Sequence, residues 1–200
     1  VSEIEGILLA AGESRRMGYP KPLLEINGET FVARLAAAML RAVARLTVVV
    51  GSQRERVRAA VPVDARITVV ENPDWARGQL SSIKAGLRAL SNDASSAIVH
   101  LTDHPTVKHA TFDAVAEAYR QSKKPIVIAR HGGRRGHPVL FDRSIFRELL
   151  DAPEDQGARV VVNADASRLI YVDVDDPGIL LDLDTPDDLA RAGLQLPAKV

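Results

Sequence analysis

The sequence predicts an α/β protein: a three-layer, doubly wound and mostly parallel sheet. Short apolar runs rich in β-branched residues recur along the chain, they alternate with amphipathic helical segments, and glycine, proline or aspartate closes most of them. Strands read as continuous apolar runs when helices cover both faces of a parallel sheet, and right-handed crossovers connect them. At 200 residues and 46% apolar, the chain suits a single domain over residues 1–200 with one sizeable core.

Each element has its own signal. Ile7 to Ala10 is the first buried strand. Leu23 to Ile26 and the turn Asn27-Gly28 make a short extended piece, after which Thr30 caps a helix to about Val43 that carries Phe31, Leu35, Ala38, Met39 and Ala42 on one face. Leu46 to Val50 is a strand ending at Gly51, and Gln53 to Ala60 is a polar helix. Ile67 to Val70 is the third short strand, Glu71 to Gly78 a loop, Gln79 to Leu90 a helix and Ala97 to Thr102 the fourth strand. Ala110 to Gln121 reads as helix and Pro125 to Ala129 as strand, followed by a glycine-rich loop at residues 132–136 and an extended Pro138 to Phe141. Asp142 to Leu150 and Gly157 to Asn163 read as helical, Leu169 to Val174 as extended, and Ile179 to Leu183 as a late strand. Thr185 as N-cap with Pro186 at the first helical position opens the last helix.

Composition excludes several functions. The 26 basic and 26 acidic residues cancel, so no global field selects nucleic acid or an anionic membrane. There is no cysteine, which removes disulfides, thiolate metal sites and a cysteine nucleophile; metal chemistry must use oxygen or imidazole. The five histidines show no zinc-ligand spacing. No signal-peptide pattern or membrane-length apolar run is present, and the expected location is the cytoplasm.

Chemistry gathers at the carboxyl ends of the strands, where ligands bind in such sheets. After the first strand, Gly12, Ser14 and Gly18 let the backbone turn inward while Arg16 and Lys21 supply charge, so Ala10 to Lys21 reads as a polyphosphate cradle. The spacing fits neither the Gly-x-x-x-x-Gly-Lys loop nor Gly-x-Gly-x-x-Gly, and an ordinary surface turn accounts for the same residues. Asp103, in Thr102-Asp103-His104-Pro105, offers a hard ligand suited to Mg²⁺ or else caps a turn. Asp182 and Asp184 share a face by alternation and offer a second carboxylate, or belong to a helix-capping cluster. His100, inside a strand, reads as packed and hydrogen-bonded.

Six segments together resemble the molybdenum cofactor cytidylyltransferases and the wider molybdopterin nucleotidyltransferase family. They are Leu9-Ala10-Ala11-Gly12-x-Ser14-x-Arg16-Met17-Gly18-x-x-Lys21, Gly78-Gln79-x-Ser81-Ser82-Ile83, Asp103-x-Pro105, Arg135-Gly136-His137-Pro138 with Asp155-x-Gly157-Ala158-Arg159, and Asp182-x-Asp184-Thr185-Pro186. The resemblance implies a Rossmann-like nucleotidyltransferase fold and Mg²⁺-dependent transfer of CMP from CTP to molybdopterin with loss of pyrophosphate. It implies catalytic roles for Arg16, Lys21 and Asp103, nucleotide contacts at Leu9, Ala10, Ala11, Gly12, Ser14, Gly78, Ser81 and Ser82, and metal ligation by Asp103 with Asp184, Asp182 being the substitute. Arg135 and His137 would hold the phosphorylated acceptor. Ala11 stands where guanylyl transferases of the family carry glycine, which favours CTP over GTP. A molybdenum hydroxylase is the implied recipient of the product. The alternatives are transfer to a sugar or polyol phosphate, and a non-catalytic nucleotide-binding accessory protein.

Overall fold

The computed structural model describes residues 3–197. β1 (Glu3–Ala10) is an almost wholly buried run, followed by a two-residue hairpin, β2 (Glu25–Ile26) and β3 (Glu29–Thr30). Asn27 and Gly28 both have positive φ (54° and 80°), the geometry an Asn-Gly hairpin turn needs. Thr30 then caps α1 (Phe31–Met39), its hydroxyl accepting from the Ala33 amide at 3.3 Å. β4 (Leu46–Val50), α2 (Arg54–Ala60), β5 (Ile67–Glu71), α3 (Gln79–Ala89), β6 (Ala94–Leu101) and α4 (His109–Ser122) follow. The second half contains β7 (Ile126–His131), β8 (Arg134–Asp142), α5 (Arg143–Asp151), α6 (Arg159–Val162), β9 (Leu169–Asp173) and α7 (Pro186–Arg191).

Seven strands form one sheet in the order β5-β4-β1-β6-β8-β7-β9. Only β8 runs against its neighbours β6 and β7; the other pairs are parallel. Strand alternation divides the core between the two faces. On one face, Leu8, Val48, Val50 and Ile98 pack with α1 and α4 through Leu35, Met39, Phe112 and Val115. On the other, Ile7, Leu9, Val49 and Val99 pack with α3 and α5 through Leu80, Ile83, Ile145 and Phe146. These are the three layers expected.

Two expectations need correction. The glycine-rich segment is a tight turn at Gly132 and Gly133 only, and β8 already begins at Arg134, because β7 and β8 pair as an antiparallel ladder from Arg130 and Arg135 onward. No late strand runs through residues 179–183: Pro177–Leu180 is a 3₁₀ turn, and the chain beyond it is extended without a sheet partner. This limb is held from inside by a third cluster, in which Leu183 and Leu189 bury against Met17, Leu24 and Phe31.

Candidate active site

The third cluster explains how the loop after β1 meets the distant limb. Met17 is 1% exposed and sits beside Leu183, so the residues flanking each are brought together at the surface. The loop turns at Ser14 (φ 58°), whose carbonyl accepts from the Met17 and Gly18 amides at 3.0 and 3.1 Å and whose hydroxyl accepts from the Lys21 amide at 3.0 Å. Gly18 follows at φ 70°, a conformation that suits glycine. Arg16 and Lys21 emerge from this turn toward Asp184: the Arg16 guanidinium donates to its carboxylate, and Lys21 Nζ lies 2.5 Å from Oδ1. Lys21 Nζ is also 3.5 Å from Asp103 Oδ2.

Asp103 follows the end of β6, and its carbonyl accepts from the Leu183 amide at 3.0 Å. That bond helps set Asp182 and Asp184 beside it. One carboxylate oxygen from each of Asp103, Asp182 and Asp184 lies within 4.8 Å of the others. Asp182 therefore joins the group in addition to Asp184, where sequence offered it only as the substitute. Burial, then the neighbouring charges of Asp103 and Asp184, pushes the Asp182 carboxyl above its ordinary range. At Asp184 burial pushes the same way, yet the hydrogen bond and charge of Lys21, with Arg16, outweigh it and hold the carboxyl below that range. Asp103 Oδ1 is buried with no hydrogen-bond partner. An orphaned carboxylate oxygen beside two further carboxylates is a donor set that fits a hard divalent cation, since oxygen ligands are what such ions take. Among the described residues the carboxylates, and not the histidines, form such a group.

Arg16, Lys21, Asp103 and Asp184 line a cleft of about 540 Å³ at the carboxyl ends of β1 and β6. Leu9, Ala11, Gly12, Ser14, Gly78 and Ser82 of the expected nucleotide contacts also line it. Ala10 does not. The period of two turns its side chain to the α1 face, where it is 1% exposed in the core. Ser81 is likewise consumed by structure: its hydroxyl donates toward the carbonyls of Asp74 (3.0 Å) and Gly78 (2.8 Å) and accepts from Asn72 Nδ2 (2.8 Å). Asn72 also donates to Ser82 Oγ at 3.0 Å, and its own oxygen accepts from the Asp74 amide, so this buried side chain shapes the turn before α3. Trp75 forms one wall by packing on Gly51, where a Cβ would stand 2.6 Å from the indole Cβ.

A second cleft of about 720 Å³ adjoins the first, sharing Gln79 and Leu101 with it. Arg135 and His137 both line it, two positions apart on the same face of β8, with Arg159 and Asn163 on the opposite wall. Arg135 Nη1 donates to Asn163 Oδ1 at 3.1 Å. Burial, then the charge of neighbouring His104, lowers His137 to about 4, so its ring is neutral at physiological pH. His104 stacks on that ring at 5.5 Å. His100 is fully buried, edge-on to Phe112, and bonds the His104 carbonyl at 3.2 Å, as a packed histidine should. Among the described residues no helix is long and apolar enough to cross a membrane.

A family model described as MobA-like NTP transferase domain matches residues 6–169. The molybdenum cofactor cytidylyltransferase of Escherichia coli (strain K12) is 28% identical, the match covering 96% of each chain. The nicotine blue oxidoreductase of Paenarthrobacter nicotinovorans is 29% identical over 94% of this chain and 95% of its own. The crystal structure of Rv0371c from Mycobacterium tuberculosis H37Rv superposes with a TM-score of 0.80 at 29% identity, over 96% of this chain and 97% of that one, and a manganese complex of the same protein does so with a TM-score of 0.74.

Proposed function

The chain belongs to the MobA-like NTP transferase domain family, and from that premise we propose that it transfers CMP from CTP to the phosphate of molybdopterin, releasing pyrophosphate. The observation that carries the reading is the juxtaposition of Asp103, Asp182 and Asp184 with Lys21 and Arg16 at the first cleft, which a second cleft adjoins through Gln79 and Leu101. A triphosphate needs such paired signs, and a second substrate needs the adjoining space.

In this reaction an oxygen of the acceptor phosphate forms a bond to the α-phosphorus, the bond from that phosphorus to the bridging oxygen breaks, and pyrophosphate leaves with the electron pair. The attacking oxygen is already anionic, so positioning and charge neutralisation carry the catalysis. Lys21 and Arg16, released from Asp184 as the phosphates arrive, neutralise the triphosphate and the departing pyrophosphate; Arg16 does so with a planar fork and Lys21 as a point charge. Asp103, Asp184 and Asp182 would hold Mg²⁺, which when bound would supply positive charge to offset that of the phosphates. Ala11, Leu9, Gly78 and Ser82 line the first cleft, and in this reading they would border the base and ribose, Ala11 narrowing the space a purine would need. Arg135 and His137 receive the acceptor in the second cleft, the first as a cation and the second as a neutral hydrogen-bonding ring.

Two other readings have observations behind them. The guanylyltransferase of Vibrio cholerae, 25% identical over 96% of this chain, keeps GTP in view, and the oxidoreductase relative keeps redox chemistry in view. A pyrophosphate-release screen separates them: the four common nucleoside triphosphates are tested against molybdopterin and against sugar and polyol phosphates, alongside NADH and NADPH oxidation. CTP with molybdopterin is the expected pair. Turnover with phosphosugars alone moves the acceptor assignment, and nicotinamide oxidation without pyrophosphate release removes the transferase reading.

A further inference from the structure

We infer that His104 is a positioning residue that fixes the limb carrying Asp182 and Asp184 against Asp103. This rests on the reading above, in which the three carboxylates hold a divalent cation. Among the described residues the limb has no strand partner, so something else must set its distance from the end of β6. Lys21 and Arg16 reach it through Asp184, but those cations are the ones a triphosphate would draw away. Two hydrogen bonds that no substrate competes for join the limb to the residues just after β6. The Leu183 amide donates to the Asp103 carbonyl at 3.0 Å, and the His104 ring bonds through Nδ1 to the Leu181 carbonyl at 3.1 Å.

The second bond is the one made by a side chain. A carbonyl only accepts, so the proton sits on His104 Nδ1. Nε2 then faces Asp103 Oδ1 at 3.7 Å, too far to bond it, which leaves that oxygen free. The ring does not belong to the carboxylate group itself; it acts through Leu181. Stacking on His137 sets the orientation of the ring, and His100, which bonds the His104 carbonyl, holds the backbone that carries it. At 8% exposure it has little room to turn away. The packed side chain of Leu183 anchors the limb's middle, while His104 fixes the end that leads into Asp182.

The alternative is that His104 merely fills space, and two substitutions rank oppositely under the two accounts. His104→Phe keeps a ring and loses the donor; His104→Asn loses the ring but can present an amide N–H near the position of Nδ1. Two readouts are taken without substrate: hydrogen exchange of the Leu183 amide, and binding of Mn²⁺ alone by water-proton relaxation. The expectation for His104→Phe is exchange faster by about tenfold, the order of one net hydrogen bond, and Mn²⁺ affinity several-fold weaker. His104→Asn should stay within about twofold of wild type in both, because the bond to Leu181 survives. The opposite ranking, or two variants that behave alike, overturns the inference. Asp103→Asn is the control: if it binds Mn²⁺ as wild type does, the cation reading fails, and the Leu183 exchange rates still decide the role of His104.

Discussion

Replacing Asp103 by asparagine should move stability and turnover in opposite directions. The substitution keeps the size and planarity of the side chain and removes one negative charge from a group whose oxygens lie within 4.8 Å of one another. Two like charges at that distance repel by about 3 to 4 kcal/mol at an effective dielectric constant of 20. Asp103 faces two such neighbours, about 7 kcal/mol together, of which Lys21 Nζ at 3.5 Å from Asp103 Oδ2 returns about 5 kcal/mol by the same reckoning; the Asp103 and Asp184 side chains are 24% and 20% exposed, so water screens the remainder. The net relief is about 1 kcal/mol, enough to raise the unfolding midpoint by a few degrees in a chain of this size. Turnover should fall by about a hundredfold or more, a loss of roughly 3 kcal/mol in the transition state. Thermal unfolding in chelator and pyrophosphate release across a range of Mg²⁺ measure the two quantities. A variant that is less stable and still turns over at the wild-type rate would mean that Asp103 is a structural cap, and the reasoning from its orphaned oxygen would be wrong.

The other expectations follow the same geometry. Lys21→Ala should weaken CTP binding and slow the chemical step, and Arg16→Lys should also impair turnover because an ammonium cannot reproduce a bidentate fork; unchanged CTP titrations for both would return the loop to an ordinary turn. Ala11→Gly should improve kcat/KM for GTP relative to CTP by about ten- to a hundredfold, the worth of one group in a pocket, while a ratio within about twofold would place base choice elsewhere. His137, lowered to about 4, contributes stability that is fully present above the pH 6.5 region where an unfolded histidine titrates and is lost as pH falls toward 4. Up to about 3 kcal/mol should disappear in that window; His137→Gln should flatten the acid limb of the stability curve, and an unaltered limb would show that the ring is not buried neutral.

Local rules read much of the molecule from its sequence. Asn27-Gly28 and Thr30 are short-range signals whose geometry depends on adjacent residues, and both behave as those rules require. Thr185 and Pro186 open α7 as expected, with a reciprocal bond between Thr185 and Asp188. What was not legible depends on contacts between distant parts of the chain. Nothing near Met17 or Leu183 indicates that they share a cluster, yet that contact brings Arg16 and Lys21 to Asp184. Ala10 and Ala11 look equivalent in the motif, and only the alternation of the chain sends Ala10 into the core on the α1 face and Ala11 to the α3 face, where it borders the cleft. Ser81 offered a hydroxyl to a ligand, but the buried amide of Asn72 needed a partner first, since an unpaired polar group inside the fold is costly. The late apolar run Ile179 to Leu183 looked like a strand because its residues are indeed buried at Ile179 and Leu183, though against side chains and without a sheet edge to pair with.

In the proposed reaction the α-phosphate of the nucleotide, and not its γ-phosphate, is carried to the acceptor. This is tested by incubating the protein and Mg²⁺ with CTP labelled at either phosphorus, with and without molybdopterin, and following the label into acceptor and into pyrophosphate. α-Label should enter the acceptor in equal amount to the γ-labelled pyrophosphate released, and neither event should occur without acceptor. Label from the γ-phosphate in the acceptor, or pyrophosphate released equally in its absence, would contradict the proposed reaction.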